Sequence, residues 1–181
     1  MNDFHQMLVN RHSIRRYTAE PLDADQVRLI LEAALMAPSS KSGRPWQFVV
    51  VEDKDMLVRL GDCKPAYATS VANAPLAIVV CADPTSTDTW VEDCSMAAAF
   101  MQLQAEALGL GSCWVEVHNR QAADGTPSDD VVRELLGIPD NFTPLCIISV
   151  GHKDEVRRPV DPAKLKWEKV HIGGWNAAQA D

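Results

Sequence analysis

Arg11-His12-Ser13-Ile14-Arg15-Arg16-Tyr17 packs guanidiniums around a hydroxyl, in a chain of 181 residues whose net charge is −8. If the segment is extended, Arg11, Ser13 and Arg15 share one face at steps of about 7 Å. Two planar guanidinium forks beside a hydroxyl suit the oxygens of a phosphorylated ligand. If the segment instead continues a helix, Ser13 points away and the cations complement the helix dipole. Residue types alone leave both readings open.

Three further stretches carry similar potential. Ala37-Pro38-Ser39-Ser40-Lys41-Ser42-Gly43-Arg44-Pro45-Trp46 offers hydroxyls and backbone amides to a ring edge or a phosphate, or is an ordinary connection into a strand. Gly109-Leu110-Gly111-Ser112-Cys113-Trp114-Val115-Glu116 lets backbone approach a flat ligand, or simply stops a helix before a core strand. Gly151-His152-Lys153-Asp154-Glu155-Val156-Arg157-Arg158-Pro159 supplies more cations, which a solvated loop would also tolerate.

Other chemistries find little support. None of the cysteines (Cys63, Cys81, Cys94, Cys113, Cys146) forms a CxxC pair, so buried free thiols in a reducing compartment are expected. His5, His12, His118, His152 and His171 make neither HExxH nor HxxxH, and no metal site is expected. A Cys113 nucleophile with His118 as base has nothing to orient the pair. The acidic balance argues against nucleic acid. Apolar runs such as Leu76–Ala82 fall far short of the roughly 20 residues that cross a bilayer. Asn2, Asp3 and Phe4 do not open a basic-then-apolar leader, so no signal peptide, no membrane and a cytoplasmic location are expected. Neither GxGxxG nor GxxxxGK[ST] occurs.

The elements that must position these groups follow from periodicity. Phe4, Met7 and Leu8 suit a short first helix ending near Asn10. Asp23 and Gln26 form a capping-box pattern before the apolar stripe Val27, Ile30, Leu31, Ala34 and Leu35, and that helix stops before Pro38. Strands are expected at Trp46–Glu52, Leu76–Ala82, Cys113–Val117 and Leu145–Val150, with a polar helix around Lys54–Leu60. The longest helix, Thr89 to Leu108, is small and apolar nearly all round in its middle, which suggests burial against a second subunit as well as its own sheet. Ser128 is expected to cap a short helix ending at Gly137. The stretch from Gly151 onward lacks periodicity and is expected to wrap another surface. The fold class is α+β, a mixed or antiparallel central sheet flanked by helices, in one domain spanning 1–181.

Taken together and in order, R-x-S-x-R-x-Y, A-P-S-S-x(5)-P-W before a strand, A-P before an apolar strand, G-L-G-x-C-W, and strand-G-x-K resemble the nitroreductase family. The resemblance runs from Phe4 to Trp175, and the closing Lys169-Val170-His171…Trp175 is similar to the ending of short members. It implies an α+β homodimer holding flavin mononucleotide (FMN) in the subunit interface, with the C-terminal tail wrapping the partner. Arg11, Ser13 and Arg157 would then meet the phosphate, with Lys153 or Arg158 assisting, and His12 and Gly151 would lie in the same site. Arg15 would lie by the N1/O2 edge of the ring, where a fixed cation stabilises the reduced, anionic form. Pro38, Ser39, Ser40 and Ser42 would approach from the other subunit, and Trp114, Val115 and Glu116 would pass along the other face. No side chain need act as acid or base.

The implied activity is hydride transfer from NADH or NADPH, by ping-pong turnover, to a nitroaromatic, a quinone or a related small acceptor. Enones or halogenated aromatics as acceptors, and a non-catalytic flavin-binding redox sensor, are the alternatives. The chain departs from the usual S-x-N-x-Q-P-W, carrying Ser42 for Asn and Arg44 for Gln. With Lys41 beside it, Arg44 would suit an anionic substrate or the phosphates of the nicotinamide donor.

Overall fold

The computed structural model describes residues 3–66 and 68–175. Contacts divide the chain into a main unit, His12–Val156, and a terminal unit joining the segments before and after it.

Two strands form the centre of the main unit: β2 (Leu76–Ala82) is apolar at every position, and β4 (Thr143–Gly151) is apolar but for Thr143 and Ser149. β2 is buried throughout, and β4 is buried after its first residue. Strands covered on both faces read as continuous apolar runs rather than alternating ones. β1 (Trp46–Val51) and β3 (Gly111–Glu116) are the edges of a four-stranded sheet of order β1-β2-β4-β3, antiparallel at every pairing. A register shift at Val80/Cys81 coincides with Pro144, which has no N–H to give a ladder.

Alternation along β2 divides the core. Leu76, Ile78, Val80 and Ala82 pack with Ile30 and Ala34 of α2 (Ala24–Leu35), and with Cys94, Ala98 and Met101 of α5 (Trp90–Ala107). Ala77, Val79 and Cys81 face Leu57 and Leu60 of α3 (Lys54–Gly61), Val71 of α4 (Thr69–Asn73) and Val132 of α6 (Ser128–Leu136). Each fully buried Leu or Ile contributes about 1.5–3 kcal/mol through removal from water. α2 begins as its sequence announces, with Gln26 Oε1 accepting from the Asp23 amide at 2.9 Å.

The terminal unit holds α1 (Asp3–Asn10) and an irregular segment from Arg157. The Val160 amide donates to the Val9 carbonyl at 2.9 Å, and His171 stacks on Trp175 with ring centroids 4.2 Å apart. Trp167, Ile172 and Trp175 are 68%, 86% and 87% exposed.

Three expectations shift in detail. β3 starts at Gly111 rather than Cys113, and β4 at Thr143 rather than Leu145. Ser128 does not cap α6: its hydroxyl donates to the Cys63 carbonyl at 2.7 Å, and Pro127 stands at the cap. Gly137 does close that helix, with φ of 63°. α4 carries too few residues for periodicity to reveal it.

Candidate functional site

Both readings of the basic segment hold, each for a different part. Arg11 still belongs to a helix end, its amide donating to the Met7 carbonyl at 2.8 Å. From Ser13 the chain is extended. Ser13 bridges Ser112 on the outer side of β3, the Ile14 amide donates to the Ser112 carbonyl at 2.9 Å, and Tyr17 bridges Lys153. Arg11 therefore belongs to the helix end, and the bridged, extended run begins only at Ser13.

Burial, broken from strict alternation by the adjacent exposed pair Arg15 and Arg16, then sorts the segment. Ile14 and Tyr17 are 3% and 8% exposed and point inward, while Arg15 is exposed and Ser13 half-buried. Two glycines make room for the inward pair. A Cβ on Gly111 would come within 2.7 Å of Ile14, and one on Gly151 within 2.9 Å of Tyr17. The Tyr17 hydroxyl lies 2.5 Å from the Ile14 carbonyl and 2.9 Å from Ser149 Oγ. Burial pushes this phenol far above its ordinary range, against the lowering effect of the Ser149 hydrogen bond. Glu155 Oε1 accepts from the Arg15 amide at 2.6 Å, which fixes the strand from its other side.

The turn after α2 is held by a residue that sequence reading missed. Asp93 of α5 is 5% exposed, accepting from the Ser40 amide at 2.8 Å and from Thr89 Oγ1 at 3.1 Å. Ser39 Oγ accepts from the Arg44 amide at 3.0 Å. Within this frame Lys41, Ser42 and Arg44 have φ of 50°, 55° and 48°. A left-handed non-glycine residue costs about 1–3 kcal/mol and persists only where its surroundings over-determine it. The available signal was a carboxylate on the apolar stripe of α5, between Trp90 and Cys94.

Along β3, Trp114 Nε1 donates to Glu116 Oε2 at 2.9 Å, so the two half-buried side chains brace one another. Val115 points the other way, into the core under α6, and only its backbone faces outward chemistry. Past β4, Lys153 Nζ sits 2.8 and 2.9 Å from the two oxygens of Glu106, so its charge is already matched. Arg11 and Arg157 lie in the terminal unit.

These groups form two clusters far apart in one chain. Ser13, Arg15, Gly151 and Lys153 gather where β3 begins and β4 ends; the 38–44 turn enters β1, the opposite edge, at the opposite end. Asp93, which holds the turn, and Glu106, which holds Lys153, are separated by about 20 Å along α5 at about 1.5 Å per residue. The sheet adds about 14 Å across its three strand gaps.

The remaining candidates separate cleanly. All five cysteines are free and buried. Burial pushes Cys63 and Cys81 up to about 11 and Cys94 to about 12, and raises Cys146 well above the ordinary thiol range. Cys113 is 2% exposed, and His118 faces the Trp90 ring and lies 3.8 Å from Asp129. No metal-ligand cluster occurs among the described residues. A cavity of about 360 Å³ lined by Arg16, Tyr17, Thr18, Lys54, Asn73 and Pro75 contains none of the residues expected to hold a cofactor.

Fold and clusters define the class: an α+β protein with an antiparallel sheet between helical layers, its polar and cationic groups gathered on loops at the sheet's ends. The nitroreductase family model matches residues 8–64 and 62–152. The chain belongs to the nitroreductase family. A solved structure described as an FMN-dependent nitroreductase from Clostridium difficile superposes with a TM-score of 0.92 at 43% identity, covering 93% of this chain and 98% of that one. An Archaeoglobus fulgidus relative named for NADH dehydrogenase/NAD(P)H nitroreductase is 38% identical over 97% of this chain and 100% of its own. The NADPH:FMN oxidoreductase of Vibrio harveyi, solved with NAD+, is 26% identical with a TM-score of 0.80, covering 97% of this chain and 79% of that one. No described helix is long and apolar enough to cross a membrane.

Proposed function

We propose that this chain is an NAD(P)H-dependent oxidoreductase that uses FMN, works as a homodimer, and passes reducing equivalents to a small-molecule acceptor. The observation that carries the reading is the clamped strand at Ser13–Tyr17. It offers a half-buried hydroxyl and an exposed guanidinium at one end of the sheet, a donor set that suits a phosphorylated, electron-accepting cofactor.

The residues fit FMN in kind. Ser13 donates toward phosphate, and Arg15 places fixed positive charge where a reduced ring gains electron density. Ser39, Ser40, Ser42 and Pro38 supply the second wall, and Trp114 with Glu116 the braced edge of β3. In one chain the two clusters lie at opposite corners of the sheet, which supports a site completed by a second copy. Exposed apolar side chains on the same layer, Leu35 at 56%, Met36 at 71% and Met96 at 42%, support the same assembly. The exposed tryptophans of the terminal unit suit a tail that wraps the partner. Bound FMN supplies hydride transfer, from NADH or NADPH in one half-reaction and to the acceptor in the next. The protein's part is positioning: it holds the ring face open to one planar substrate at a time and needs no side-chain acid or base.

The test is direct. Protein purified under native conditions carries FMN or takes it up stoichiometrically, and anaerobic NADH or NADPH bleaches it within the mixing time of a turnover. Acceptors screened against each donor then restore the oxidised spectrum. A colourless chain that cannot be reconstituted with FMN rejects the proposal.

A further inference from the structure

The turn between α2 and β1 contains a contradiction that backbone preference cannot explain. Its one glycine, Gly43, has an ordinary φ of −68°, while the left-handed positions are taken by Lys41, Ser42 and Arg44. Glycine or asparagine would occupy those positions with less strain. The turn is nevertheless closed firmly. Asp93 holds the Ser40 amide, Ser39 Oγ holds the Arg44 amide, and the Ser42 and Gly43 amides donate to the Ser39 and Ser40 carbonyls at 3.1 and 2.8 Å.

The side chains this turn displays are two cations. Lys41 and Arg44 are exposed, and among the described residues neither has a carboxylate within ion-pair distance. Elsewhere Arg28, Arg133, Lys153 and Lys164 find carboxylates and Lys54 and Lys64 reach backbone carbonyls; what sets Lys41 and Arg44 apart is that both stand, exposed, on left-handed backbone. A strained, over-tied turn that keeps two cations clear of its own acids is arranged to meet an anion from outside.

We propose that Lys41 and Arg44 form an anion-reading pair at the rim of the flavin site, so that the preferred substrate carries a carboxylate or a phosphate. The inference rests on the reading that the 38–44 turn forms a wall of that site. The same chemistry has two possible sources: a carboxylate on the electron acceptor, or the 2′-phosphate that distinguishes NADPH from NADH. In both cases the cations raise the encounter rate and hold the charged end while the reactive end meets the ring.

The experiment uses the FMN-loaded protein and the double variants Lys41→Glu/Arg44→Glu and Lys41→Gln/Arg44→Gln. One arm compares 4-nitrobenzoate with 4-nitrobenzyl alcohol at fixed donor; the other compares NADPH with NADH at the neutral acceptor. In at least one arm the wild type favours the anionic member in kcat/KM. That ratio falls by about tenfold on charge reversal, by less on neutralisation, and declines with added salt. Ratios in both arms that move by less than about twofold in both variants overturn the inference. A wild-type chain that takes up no FMN fails the site reading itself, whereas flavin that is bound and bleached with unmoved ratios fails only the anion-reading pair.

Discussion

Ser13 and Arg15 stand two positions apart in a clamped, extended segment, and on the proposed reading their chemistry would give them different work. A neutral hydroxyl holds phosphate through a hydrogen bond, so Ser13→Ala is expected to weaken FMN retention by about 1–2 kcal/mol with little change in midpoint potential. Arg15→Ala removes a fixed charge and is expected to lower the flavin potential more than it lowers affinity. Equal effects of the two variants on potential and affinity would contradict the division. Tyr17 acts behind them. Its phenol stays protonated because burial raises its pKa above the ordinary 10.0, so it can donate to the Ile14 carbonyl or Ser149. Tyr17→Phe leaves those groups without their partner and should cost about 1–3 kcal/mol, read as a lower urea midpoint. The sign with pH follows. Above about pH 10 the unfolded chain releases the phenolic proton that the native state keeps, so stability falls as pH rises. Tyr17→Phe should flatten that alkaline decline; an unchanged slope would place the titration elsewhere, in the buried thiols.

The elements were legible in sequence wherever packing and local preference agree. β2 announces itself by an unbroken apolar run, α2 by its capping box and stripe, and α5 by small residues all round. Legibility failed where a distant partner decides local geometry. The 38–44 turn reads as a polar connection because the carboxylate that holds it comes from Asp93, in a helix beyond β2. Ser128 reads as a cap, but its hydroxyl goes to the Cys63 carbonyl across the core instead. The split of the basic segment into a helix end at Arg11 and a strand from Ser13 is settled by Ser112, a residue of the far edge strand. Asp93 carries the element-scale prediction. Asp93→Ala removes the acceptor for a main-chain amide and a hydroxyl at a buried position, and should destabilise by about 1.5–3 kcal/mol in denaturant. The same change should release the strained turn, so limited tryptic cleavage after Lys41 should accelerate; Arg44 is followed by Pro45 and is not a cleavage site. Asp93→Asn, which keeps an acceptor oxygen, should fall between. Cleavage at the wild-type rate in the alanine variant would mean that the turn is held by its own hydrogen bonds alone.

At the scale of the whole molecule, assembly and cofactor binding should be one property rather than two. A single chain sets the Ser13–Arg15 strand and the Ser39–Ser42 turn at opposite corners of its sheet, so neither corner alone surrounds a ligand. On the proposed reading a two-fold partner would resolve this, because an isologous interface would bring one copy's turn to the other's strand and repeat the arrangement on the second side. The chain mass of 19.9 kDa should therefore double in solution at one FMN per chain. Met36 and Met96 are exposed apolar side chains on the α2–α5 layer. Placing a charge at each, Met36→Asp with Met96→Asp, buries two unpaired carboxylates if that layer is the interface, a penalty large enough to separate the copies. Light scattering coupled to flavin absorbance reads both quantities on one sample. Monomers that have lost FMN, with helical content intact by circular dichroism, are the expected result. A monomer that keeps its flavin would show that one chain suffices for the site, and a dimer that keeps both mass and flavin would move the interface away from α2 and α5.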